Sequence, residues 1–254
     1  MRLENVRAGY GSKIVINNAS IDIRKNEIIS LIGPNGGGKS TLLKSISGQL
    51  HLLGGDVYIG EDSIKTISLK ELARKMSIVT TERVNPEQMS AFDIVLSGRL
   101  PFTDGFGSFD KADKEAAKRA INLMKIQEIA DRQFEALSDG QKQRTLIARA
   151  ICQNPEFLIM DEPTSYLDIR YRLELMQVLK ELAENGVTII MSLHELELAL
   201  QISDRVLMIK NDGNVEIANP DEVIESGVVQ ELYGLTDDMY KRVLEQLRLC
   251  RQFR

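Results

Sequence analysis

The segment Gly33-Pro34-Asn35-Gly36-Gly37-Gly38-Lys39-Ser40-Thr41 constrains this chain more than any other. It follows an apolar run, Glu27 to Ile32, dense enough for a strand buried on both faces. It precedes Lys39 to Ser47, where Leu42, Leu43 and Ile46 have helix spacing. A buried strand that stops at a glycine turn and feeds a helix requires an α/β layer. The segment also fits G-x-x-x-x-G-K-[ST] in the strand–turn–helix setting that pattern needs. Glycines let backbone amides curl around phosphates, and the helix N-terminus adds a favourable dipole. Lys39 supplies a point charge for the β/γ oxygens, and Ser40 offers a hydroxyl to Mg²⁺.

A second segment supplies the complementary chemistry. Phe157-Leu158-Ile159-Met160-Asp161-Glu162 reads as four apolar strand residues followed by two carboxylates. A buried strand carries Asp161 to the sheet edge, where it holds Mg²⁺ through water. Glu162, one residue on, points at the water attacking the γ-phosphate as general base. Adjacent acids after a strand are common; their pairing with Gly33–Ser40 is what gives them meaning.

The rest of the chain supports a mostly parallel α/β sheet. Ala19 to Arg24 alternates as a half-buried antiparallel strand should, and the first sixty or so residues read mostly as strands. Strands recur at Phe157–Met160, Val187–Met191 and Arg205–Ile209, alternating with helices at Tyr171–Glu184 and Glu195–Ile202. Helical spacing at Lys111–Gln127 and Gln141–Ile151 predicts a helical insertion at about 85–153. The tail from Thr236 to Arg254, with Met239, Val243 and Leu247 in register, predicts a packed terminal helix. No repeat or low-complexity tract interrupts the pattern, so 1–254 reads as one nucleotide-binding domain.

Five short segments fall in the order seen in ABC ATPases, and the resemblance covers nearly the whole chain. Leu137-Ser138-Asp139-Gly140-Gln141 resembles the LSGGQ signature of that family. The resemblance implies that Ser138, Gly140 and Gln141 face the γ-phosphate of an ATP held by a second copy of the chain. Ser138 also reads as a helix N-cap. Ser165-Tyr166-Leu167-Asp168 resembles the D-loop that crosses the dimer interface, which places Asp168 near nucleotide. His194 resembles the switch histidine that touches the γ-phosphate, and Tyr10 the aromatic that stacks on adenine. His51 reads as an ordinary surface or core residue.

The fold this implies is a P-loop NTPase core, RecA-like, with an N-terminal antiparallel β-subdomain and an inserted α-helical subdomain. The implied cofactors are ATP and Mg²⁺, with Ser40, Asp161 and Glu82 around the metal. Two residues depart from the family pattern. Asp139 replaces the first glycine of the signature pair and is expected to turn away from the phosphate. Glu82, at the end of Ser77-Ile78-Val79-Thr80-Thr81-Glu82, stands where the family has glutamine.

Bulk properties narrow the class. A net charge of −5 excludes a global basic field for nucleic acid or acidic lipid. No stretch approaches the roughly 20 apolar residues of a membrane span, and Cys152 and Cys250 lack CxxC spacing. These features predict a cytoplasmic protein, and the resemblance implies that integral permease subunits hold it at the inner face of the membrane. Within the family the chain resembles importer ATPases for iron–siderophore, haem and corrinoid complexes, through Leu96–Phe102 and Tyr166–Ile169. Phe102, Phe106 and Phe109 read either as local packing or as exposed aromatics that dock the permease. The alternatives are an exporter subunit, or a soluble ABC ATPase of DNA repair or translation.

Overall fold

The computed structural model describes residues 1–82, 86–104 and 107–251. In chain order the elements are β1 (Arg2–Tyr10), β2 (Lys13–Asp22), β3 (Ile28–Ile32), α1 (Lys39–Ile46), β4 (Gly54–Ile59) and β5 (Asp62–Ser63). Next come α2 (Leu69–Lys75), β6 (Met76–Val79), α3 (Ala91–Leu96), α4 (Lys111–Leu123), α5 (Asp139–Cys152), β7 (Phe157–Met160) and α6 (Ile169–Glu184). The chain closes with β8 (Thr188–Ser192), α7 (Leu196–Ile202), β9 (Arg205–Ile209), β10 (Val215–Ala218), α8 (Pro220–Glu225), α9 (Val228–Tyr233) and α10 (Asp237–Arg251). These form two compact units, one made of Met1–Ile67 with the chain from Thr188 onward, the other of Ser68–Val187.

The first unit holds two kinds of sheet. β2, β1, β4 and β5 pair antiparallel in that order, which answers the alternation read in the sequence. β3 lies between β8 and β9, parallel to both, with β10 antiparallel on β9. All five residues of β3 are buried, as expected for a central parallel strand. The strand begins at Ile28; just before it the Glu27 carbonyl still accepts from the Ile189 amide at 2.9 Å, and the Glu27 side chain accepts from the Arg205 Nε at 2.8 Å. Within β3 the hydroxyl of Ser30 accepts from that of Ser203 at 2.6 Å, so the one polar side chain of the run is satisfied.

The second unit is mostly helical around the parallel pair β6–β7. Helix α4 stops at Leu123, four residues before the apolar spacing runs out. Lys125 turns left-handed (φ 50°), and the Ile126 amide bonds back to the Ile121 carbonyl at 3.1 Å. That is a Schellman-type stop made without glycine. Strand β10 and helices α8 and α9 have no counterpart in the sequence reading. In α10, Leu247 is buried whereas Met239 is exposed, so the terminal helix packs by only part of the predicted stripe. Among the described residues no helix is long and apolar enough to cross a membrane.

Candidate functional site

The candidate residues fall into two groups, one in each unit. In the first unit β3 and β8 are parallel neighbours, with Leu31 opposite Ser192. Both therefore release their chains at the same edge: β3 into Gly33–Thr41, β8 into the turn that carries His194. Beyond this edge is where open α/β sheets bind ligands.

The loop is shaped by its glycines. Gly36 and Gly38 take φ 75° and 106°, and a Cβ on Gly38 would lie 2.8 Å from the Val15 side chain. The Gly37 amide donates to the Pro34 carbonyl at 3.0 Å, closing a tight turn over the exposed Asn35. Lys39 is 6% exposed, and its ammonium donates to the carbonyls of Gly33 (2.9 Å) and Pro34 (3.2 Å). The loop's own carbonyls thus hold its cation in place. Helix α1 starts at Lys39 behind Gly38, an N-cap that offers no side-chain acceptor, and its first turn has no acidic residue. First-turn amides have no acceptor within a helix, so this terminus favours an anion. Ser40 is half-buried and Thr41 buried in that turn. Tyr10 ends β1 with about half its surface exposed, and His194 is exposed. Sequence reasoning missed Tyr233 of α9. Burial raises its phenol above the ordinary range, while the Gly33 amide beside it acts the other way.

In the second unit β6 and β7 repeat the same device. Val79 pairs with Met160, and the Asp161 amide donates to the Val79 carbonyl at 2.8 Å. Thr80–Glu82 and Asp161–Glu162 therefore leave the pair at one edge. Asp161 is buried, Glu162 half-buried and Glu82 exposed. Glu162 has φ 50° and Tyr166 φ 67°, left-handed values without glycine, each costing about 1–2 kcal/mol. The Ser165 hydroxyl donates to the Glu162 carboxylate at 3.4 Å, and its amide to the Glu162 carbonyl at 3.1 Å.

Ser138 caps α5, as its residue type predicts. Its hydroxyl accepts from the Gln141 amide at 3.4 Å, and the Gln141 side-chain oxygen accepts from the Ser138 amide at 3.0 Å. The hydroxyl hydrogen and the Gln141 NH₂ lie outside that box as donors. Gly140 has a packing reason that its motif position did not reveal, since a Cβ there would lie 2.8 Å from the Tyr166 carbonyl. Asp168 caps α6, accepting from the Tyr171 amide at 2.9 Å. The two departures from the family pattern, Glu82 and Asp139, line one cavity of about 250 Å³ with Lys142, Glu162 and Tyr166. Asp139 is also the acid of the first turn of α5, where the helix dipole favours it.

The segment read as a docking face is used internally to a large degree. Arg99 donates to Asp113 at 2.9 Å and stacks on the ring of half-buried Phe102, 4.0 Å from its centre. Burial raises the Asp113 carboxyl, but the Arg99 guanidinium and the Asp110 amide outweigh it and hold it below its ordinary value. Phe102 is therefore not a free aromatic. Phe109 is half-buried as well, and Phe106 lies outside the described residues. The exposed apolar side chains here are Leu69 and Leu100.

Comparison with known proteins places the chain in one family. Residues 16–165 match the model of the ABC transporter family. An uncharacterized ABC transporter ATP-binding protein of Methanocaldococcus jannaschii is 40% identical over 250 residues, covering 98% of this chain and 86% of the relative. The petrobactin import ATP-binding protein YclP of Bacillus subtilis is 36% identical over 237 residues, 93% of each chain. Among solved structures, a dimeric ATP-binding cassette bound to ADP and Pi superposes with a TM-score of 0.76 at 27% identity, covering 86% of this chain and 98% of that one. The fold is that of the P-loop NTPases, and the chain belongs to the ABC transporter ATP-binding family as one of its ATPases.

Proposed function

We propose that this chain powers the import of iron–siderophore or chemically related chelates, haem and corrinoids included, by hydrolysing Mg·ATP between two copies of itself. The observation that carries the cargo class is its similarity along 93% of both chains to a protein named for petrobactin import. In this reading residues 1–254 are one nucleotide-binding domain with a helical subdomain at about 85–153. Integral permease subunits hold the pair at the inner face of the membrane.

Each nucleotide is bound by Gly33–Thr41 of one copy, with Tyr10 on the adenine and His194 at the γ-phosphate. Ser138, Gly140, Gln141 and Asp168 of the other copy complete the enclosure. Ser40, Asp161 and Glu82 attend the metal, and Glu162 takes the proton of the attacking water. Pairing is supported by an exposed apolar stripe, Tyr166 (63%), Ile169 (74%) and Leu173 (58%). Ile169 and Leu173 share one face where α6 begins, and Tyr166 lies in the loop before it, beside the capped start of α5.

The test mixes two inactive chains, Lys39→Ala and Ser138→Arg. Each mixed dimer regains one intact site, so hydrolysis should return on mixing. Wild-type activity that stays proportional to protein down to the nanomolar range in a strictly monomeric species would refute the pairing. For the cargo, ATPase activity in proteoliposomes with the permease should rise with a ferric siderophore and its binding protein. Association with ribosomes or DNA in its place would refute transport.

A further inference from the structure

The loop Glu162–Asp168 has no glycine, yet it holds two left-handed residues, Glu162 (φ 50°) and Tyr166 (φ 67°). Such conformations persist only where the surroundings over-determine them. The contacts that do so come largely from one element. Helix α5 presents Gly140 so closely that a Cβ would meet the Tyr166 carbonyl at 2.8 Å. One turn on, the buried Gln143 donates its Nε2 to the Pro163 carbonyl at 3.4 Å. Inside the loop, Ser165 ties its hydroxyl to the Glu162 carboxylate and its amide to the Glu162 carbonyl, at 3.4 and 3.1 Å. Pro163, next to Glu162, lacks an amide hydrogen and has a fixed φ, so a bond to its carbonyl fixes the peptide just beyond the carboxylate.

We propose that Gln143 and Ser165 are positioning residues for Glu162, and that α5 is the strut through which they act. The inference rests on the reading of Glu162 as general base. It has a mechanical consequence. The N-terminus of α5 is the part of the chain assigned to the other copy's nucleotide, whereas Glu162 serves the chain's own. A rigid link from Gly140 through Tyr166 and Gln143 to Glu162 ties the aim of one base to occupancy of the opposite site. Gln143 bonds to the loop backbone and Ser165 to Glu162, and neither is assigned a contact with the nucleotide, so each should alter turnover without altering the binding of ATP.

The experiment is a double-mutant cycle on the full chain. Gln143→Met keeps the side-chain volume without the donor, and Ser165→Ala removes the hydroxyl from a surface loop. Each should lower kcat between about 5- and 50-fold, since small misplacements of a catalytic group are amplified in rate. The KM for ATP and the thermal midpoint should stay near wild type, and Ser165→Thr, which keeps the hydroxyl, should restore most of kcat. In a Glu162→Gln background, measured by single turnover at high enzyme concentration, Gln143→Met and Ser165→Ala should add no further loss. Multiplicative losses in that background would overturn the proposal, because the two residues would then act elsewhere. So would unchanged kcat in the single variants. If Glu162→Gln itself hydrolyses normally, it is the base assignment that fails, a result the cycle separates from the other two.

Discussion

The glycine-rich loop of the first unit and the acidic loop of the second each leave a parallel strand pair at one edge, yet they reach their shapes differently. In Gly33–Thr41 the left-handed positions are glycines, among them Gly36 and Gly38, where no side chain opposes the conformation. In Glu162–Asp168 they are Glu162 and Tyr166, held by Gly140, Gln143 and Ser165. One loop is shaped by its own residue types, the other by its neighbours. A binding cradle can afford to be self-sufficient, whereas a loop whose carboxylate must be aimed depends on packing, and packing can transmit a change.

That contrast is most easily broken at Lys39. Its ammonium is held by two loop carbonyls, so Lys39→Ala should leave the fold intact but remove the charge that meets the phosphates. A charge-assisted bond is worth about 1.5–3 kcal/mol, so ATP affinity by equilibrium titration should fall about 10- to 150-fold, with hydrolysis lost. If affinity holds, the first loop is not the cradle.

A smaller effect sharpens the comparison. Gly36 has open space around its missing Cβ, so Gly36→Ala meets only the strain of φ 75°. Chemical denaturation should show a loss of about 1 kcal/mol. Tyr166→Gly relieves the strain of φ 67° and should lose little or nothing in stability. Equal losses at the two positions would mean that the loops do not differ in this way.

The smallest effect is expected at Glu82. Glu82 and Glu162 line one cavity, and in the proposed reading Glu82 adds a third carboxylate to Asp161 and Glu162 near the γ-phosphate, which it repels. Glu82→Gln should therefore preserve hydrolysis and tighten ATP a few-fold, on the order of 1 kcal/mol. Glu82→Ala should weaken coupling to the permease more than it weakens ATP binding. Unchanged ATP affinity in Glu82→Gln, with normal transport by Glu82→Ala, would make Glu82 a solvated turn residue.

The two loops also explain what the sequence could and could not reveal. Gly33–Thr41 was legible because its conformation is written in residue types, and β3, β7 and β9 because their runs are mostly apolar. The N-cap at Ser138 was legible because cap chemistry is local. The clamp on Glu162 was not. Gln143 in α5 looks like any polar helix residue until Pro163 is placed beside it, and Gly140 reads as motif rather than as a close approach. Between local packing and exposure, Phe102 could not be decided from sequence because Arg99, which stacks on it, has its partner fourteen residues away at Asp113. The stop of α4 at Leu123 escaped because Lys125 takes a left-handed turn that glycine or asparagine usually marks. Non-local contacts and non-glycine left-handed residues are what periodicity cannot carry.

The division of labour between the loops is tested most directly by Glu162→Gln, followed by ATP binding and sedimentation velocity in the same samples. With the cradle untouched and the base removed, ATP should bind within about two-fold of wild type while turnover falls about 10²-fold or more. The trapped nucleotide should convert the chain from monomer to dimer, and addition of a chelator with excess ADP should reverse it. Loss of ATP binding, or turnover at the wild-type rate, would contradict the assignment of binding to one loop and hydrolysis to the other.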